Sequence, residues 1–168
     1  EAATGATPTE AGLLLAPAML GITVSTTLSG RRISRTGRYK RFPLAGLAAM
    51  AAGLVLLAAV AGERSQAATG IGLAVFGLGF GMVTQVLIIA VHNSVDRREL
   101  GVATAVTGFF RALGGAMGAA VLGAVFAARA DSGIVDAARA VFVVAAPLAL
   151  LALLAVALIP EKPLEERR

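Results

Sequence analysis

Residues 65–91 read SQAATGIGLAVFGLGFGMVTQVLIIAV, twenty-seven positions without a charged side chain. An α-helix rises 1.5 Å per residue, so about 20 apolar residues suffice to cross the hydrocarbon core of a bilayer. Runs of similar character lie on both sides of this one, and the spans are placed at 11–30, 42–62, 69–91, 101–128 and 140–160. Only one of them, the fourth, contains a charge, Arg111. Composition agrees, with 57% hydrophobic residues and a mean hydropathy of +0.82, where soluble domains sit at about 45–50% apolar. The expected fold class is all-α integral membrane, five transmembrane helices forming one unit over residues 1–168. Five helices are few for a self-contained membrane bundle, so the chain is expected to be part of a longer protein.

The charges outside the spans are sorted. Between the first two spans stands GRRISRTGRYKR, with Arg31, Arg32, Arg35, Arg38, Lys40 and Arg41 and no acid. Positive residues accumulate on the cytoplasmic side of a membrane helix. With this loop inside, alternation leaves eleven of the 15 Lys and Arg residues inside and three, Arg64, Arg129 and Arg139, outside. The expectation is a multi-pass protein of the bacterial plasma membrane with its N-terminus outside and its C-terminus in the cytoplasm. A pI near 11.0 would suggest nucleic acid in a soluble chain, but these cations flank apolar spans and no aromatic residues interleave with them for base stacking. No nucleic-acid partner is expected; the bilayer is.

Helix signals are local. Thr7-Pro8-Thr9-Glu10 reads as a capping box with a proline in the first turn, and Asp96-Arg97-Arg98-Glu99 repeats that logic ahead of the fourth helix, which would run from near Arg97 to Ala128. Pro17 and Pro147 predict kinks in the first and fifth spans. Gly77 and Gly81 on the third helix, and Gly114, Gly115 and Gly118 on the fourth, have the spacing that lets two membrane helices approach closely. Glycine and hydroxyl content predicts that the first, third and fourth helices are central, and that the second and fifth, almost purely Ala, Leu and Val, face lipid.

Chemistry-bearing candidates are few. Arg111 shares a helical face with Gly115 and Gly118; it either points into the bundle or sits close enough to the inner interface to snorkel. Gln85, preceded by Thr84, lies at a depth where Arg111 could meet it, and either binds substrate or satisfies a neighbouring helix. His92 and Asn93 stand at the inner mouth of the third helix, where a His can titrate or cap. The chain lacks cysteine, which removes disulfides and thiolate metal ligands. No nucleophile–base set, metal-ligand cluster or phosphate loop is legible, so neither an enzyme activity nor a cofactor is expected.

The segment Gly30-x-x-x-Ser34-Arg35-x-Gly37-Arg38-x-Lys40 resembles the loop motif of the major facilitator superfamily, G-x-x-x-D-R-x-G-R-[RK], with Ser34 at the aspartate position. PTEAGLLLAPAMLG, GLGFGMV and RRELGVATAVTGFFRALGGAMGAAVLGAVF look like successive segments of its EmrB/QacA branch of fourteen-helix drug:proton antiporters, with His92-Asn93 where that branch more often has Gln-Asn. The resemblance implies that the five spans are the last five helices of such a transporter, part of its C-terminal bundle. It further implies efflux of a small organic substrate, protons as the coupling ion, and a missing N-terminal half as partner. Loop residues Gly30, Arg35, Gly37 and Arg38 carry over with it; the cavity candidates Arg111, Gln85, Thr84 and Asn93 rest on the reading of the residues given above. The alternative is a small structural or pore-forming membrane protein that oligomerises through glycine-rich helix faces.

Overall fold

The computed structural model describes residues 12–36, 40–63 and 65–158, leaving aside the side chains of Ser34, Thr36, His92, Asn93 and Ser94. Five long helices follow one another: α1 (Ala16–Thr36), α2 (Arg41–Val60), α3 (Gln66–Ser94), α4 (Leu100–Ala128) and α5 (Ile134–Leu158), with a short 3-10 turn at Ala130–Ser132. All five are long and apolar enough to cross a membrane. Among the described residues there is no strand.

Helix α3 is clasped between α1 and α2, and α5 packs behind α2. Close approaches fix the directions. Moving along α1, Ala18, Ile22 and Gly30 meet Gly77, Gly81 and Gln85, so α1 and α3 run parallel. Gly46 and Gly53 of α2 meet Gly79 and Phe76 in reverse order, so that pair is antiparallel. Successive spans therefore alternate, and Arg31, Arg32, Arg35, Arg41, Arg97 and Arg98 share one end of the bundle while Glu63, Arg129 and Arg139 stand at the other. At that second end two turns need residues without a Cβ, since Gly62 has φ +99° and Gly133 φ +106°.

Several boundaries differ from the expected ones. The basic segment after the first span is not all loop. Arg31 to Thr36 continue α1, because arginine and isoleucine tolerate a helix and the first breaker is Gly37. Residues 12–14 are helical and the pattern is interrupted at Leu15, just ahead of Pro17, whereas α5 runs on through Pro147. Thr7–Glu10 lies outside the described residues. Before α4 the cap is Glu99, without a side-chain cap bond, and Asp96–Glu99 is a turn closed by Glu99 N–H donating to the Asp96 carbonyl at 2.9 Å. The helix is thus 29 residues, not a continuation from Arg97. Ser65 does cap α3, its hydroxyl accepting from Ala68 N–H at 3.2 Å.

The second helix overturns its lipid-facing expectation within this chain. It buries Pro43, Gly46, Leu47, Ala51, Gly53, Leu54 and Leu57. Ala51 and Leu54 form a core with Ala146 and Ala149 of α5, against Phe76, Phe142 and Ala145. Alanine and glycine on both sides of α2 let it serve two neighbours at once.

The α2–α5 pair is held at both ends by reciprocal caps. Lys40 Nζ donates to the Ala157 carbonyl at 2.9 Å, one residue from the end of α5. Arg139, inside α5 rather than ahead of it, donates from Nε to the Ala58 carbonyl at 3.2 Å and from Nη2 to the Ala61 carbonyl at 2.6 Å, closing the end of α2. A cation on orphan C-terminal carbonyls also complements the helix dipole, each worth of the order of 1 kcal/mol. In the full-length protein Arg139→Ala should speed amide hydrogen exchange around residues 58–63 several-fold and leave 155–158 unchanged, with Lys40→Ala doing the converse. Uniform or absent changes would show that these cations merely orient the chain.

Candidate functional site

Two glycine seams run along α3. Toward α1, a Cβ on Gly77 would lie against the Ala18 carbonyl, and one on Gly81 would meet Ser25 Oγ, the Ile22 carbonyl at 2.6 Å and Thr26 Oγ1 at 2.9 Å. Gly21 returns the approach: a Cβ there would lie 2.7 Å from the Ala74 carbonyl. Ser25 and Ser29 are almost wholly buried in this seam, 1% and 2% exposed, and their hydroxyls donate back to the Ile22 and Thr26 carbonyls of α1. Thr26 Oγ1 instead crosses over, donating to the Gly81 carbonyl at 3.4 Å. Toward α2, Gly79 and Gly72 lie against Gly46, Met50 and Leu57, and a Cβ on Gly53 would lie 2.7 Å from the Phe76 nitrogen.

Gln85 belongs to the α1 seam. It is half-buried, its Nε2 3.7 Å from where Gly30 would carry a Cβ. Thr84 Oγ1 donates to the Phe80 carbonyl one turn back, at 3.0 Å. Asn93 and His92 are in the last turn of α3, with side chains outside the description.

Helix α4 stands apart. It touches α5 and, sparingly, α3, and none of its residues is buried. Among the described residues, a Cβ on Gly108, Gly114, Gly115, Gly118 or Gly123 would meet nothing within 4 Å. Phe109, Phe110 and Met117 are 63%, 63% and 61% exposed. Arg111 is exposed between them, and among the described residues no hydrogen bond or ion pair joins it to Gln85. The expected meeting of these two does not occur within this chain, because Gln85 faces α1 while α4 leaves α3 largely free. Among the described residues, no group of three or more His, Asp or Glu side chains could hold a metal ion.

The profile of the Major Facilitator Superfamily matches residues 1–168. The chain belongs to that superfamily. It is 38% identical over 122 residues to an uncharacterized MFS-type transporter, Rv1877, of Mycobacterium tuberculosis, covering 73% of this chain and 18% of that protein. It is 32% identical over 132 residues to the multidrug transporter protein MdtP of Bacillus subtilis, covering 79% and 24%. With the tetracycline resistance determinant of Streptomyces rimosus it shares 37% over 120 residues, covering 70% and 34%. The chain therefore spans about a third or less of the length of these relatives. No solved structure matches significantly.

Within this facilitator chain the loop motif divides between elements. Gly30 and Arg35 lie on the last turns of α1, Lys40 reaches α5, and Gly37 and Arg38 fall outside the described residues. The seam residues Gly46, Gly53 and Gly72 escaped sequence reasoning, which saw Gly79 in the glycine row of the third helix but paired only Gly77 with Gly81. Their signal was present: each pair is seven residues apart, two turns on one face. Gly114, Gly115 and Gly118, which the rows did single out, close no seam in this chain.

Proposed function

We propose that these five helices are the C-terminal part of a longer efflux transporter of the EmrB/QacA type. It carries a small organic, amphipathic or cationic drug out of the bacterial cell by alternating access, coupled to protons. One observation carries the reading: α4 is an apolar helix bearing Gly114, Gly115, Gly118 and an arginine, yet among the described residues only α5 and, sparingly, α3 touch it. Such a helix needs protein against it, since small residues and charges in a membrane face partners or water rather than lipid. The upstream helices of the transporter are that partner, and the substrate path runs between them and the α1, α3 and α4 side. Arg111 contributes a fixed positive charge to its wall, and Gln85 and Thr84 line the α3 side at similar depth. The names of the relatives, multidrug transport and tetracycline resistance, support the substrate class. The concentration of arginines at one end of the bundle supports a cytoplasmic C-terminus.

Cells expressing the full-length protein should hold several-fold less of a fluorescent cationic dye than cells lacking it, and a protonophore should abolish the difference. Residues 1–168 expressed alone should leave accumulation unchanged. Energy-dependent efflux by the short chain would instead favour a pump or pore in which a second copy covers the α4 glycines.

A further inference from the structure

Leu28, Arg31, Arg32 and Arg35 recur at intervals of three and four along α1, which places all four on one face. They line a concavity of about 350 Å³. The residues turned to α3 on the same stretch, Ser25, Ser29 and Ile33, are buried, while the four are exposed. The apolar span of α1 ends at Ile33, so the three guanidinium groups stand where hydrocarbon gives way to headgroups. Leu28, 60% exposed, lies one to two turns deeper, at the level of the upper acyl chains. Three cations within two turns repel one another and call for anions. Yet among the described residues Arg31 and Arg35 hold neither a hydrogen bond nor an ion pair, whereas Arg32 already has an interaction of its own.

We infer that Arg31 and Arg35 grip the phosphate of an anionic phospholipid whose glycerol and first methylenes rest on Leu28. A guanidinium offers a planar pair of N–H donors that matches phosphate oxygens. The membrane surface concentrates anionic lipid at this height, at about fivefold in affinity per basic residue. The site gives these residues a task beyond orienting the chain, and it lies on a face of α1 away from the glycine seam that holds α1 to α3.

The test is lipid retention by the full-length protein in native mass spectrometry, read without reference to transport. Phosphatidylglycerol should be retained at least tenfold better than phosphatidylcholine, and millimolar inorganic phosphate should not displace it. Arg31→Gln with Arg35→Gln should lower retention about 25-fold, whereas Arg97→Gln with Arg98→Gln, at the same end of the bundle, should leave it unchanged. Equal retention of the two lipids by the unaltered protein would overturn the inference, and this comparison needs no variant to fold. An equal loss in both double variants would also overturn it, by showing a general surface potential. Displacement by phosphate would replace the lipid with a free anion. Unchanged retention in Arg31→Gln with Arg35→Gln would mean that another part of the protein neutralises these arginines.

Discussion

Replacing Gly81 by leucine should remove nearly all folded transporter from the membrane. A Cβ there already meets Ser25 Oγ, the Ile22 carbonyl and Thr26 Oγ1, and two of these groups cannot yield: the carbonyl is backbone, and Ser25 is 1% exposed. Inserting methylenes into a packed core costs about 1–3 kcal/mol where side chains can rearrange. Here α1 and α3 must separate, which also strips Thr26 of its bond to the Gly81 carbonyl. Gly118→Leu makes the complementary case, since its surroundings within this chain are open. That variant should leave the five-helix unit intact and lower efflux by displacing the upstream helices. The yield of monodisperse protein in size-exclusion chromatography separates the outcomes. Normal yield for Gly81→Leu would mean that the α1–α3 contact is not required for folding.

Arg111→Ala in the full-length transporter should cost at least tenfold in efflux rate with membrane levels unchanged. Arg111 lies eleven residues beyond the start of α4 at Leu100, about 16 Å along the helix axis. A charge at the bilayer centre costs about 2.5–3.5 kcal/mol on insertion scales, and among the described residues nothing pairs with Arg111; on the function proposed above, the offset comes from the upstream helices or from water in the path between them. Arg111→Lys keeps the charge and loses the planar fork of donors. Low efflux in both variants would assign Arg111 directed hydrogen bonds; recovery in Lys alone would assign it a charge. Wild-type rates in both would remove Arg111 from the transport path.

The class of this protein was legible residue by residue. Span length, hydropathy and the sorting of arginines are properties that each segment carries independently of its neighbours, because the bilayer imposes the same condition on every helix. The superfamily was equally legible, from the short loop around Gly30 and Arg35 and from the order of the phrases that follow. Helix partners were not. Gly77 and Gly114 sit in comparable rows of small residues, yet one is pressed against Ala18 and the other meets nothing among the described residues. A glycine announces that a backbone can come close, and only the placement of the other helices decides whether one does. The same holds for the cations. Lys40 and Arg139 read as orientation charges along the chain, and became caps once the antiparallel packing of α2 and α5 brought each to the other's open carbonyls. Gln85 and Arg111 share a depth along their helices, but depth is one coordinate, and the rotation and spacing of α3 and α4 set them on different faces.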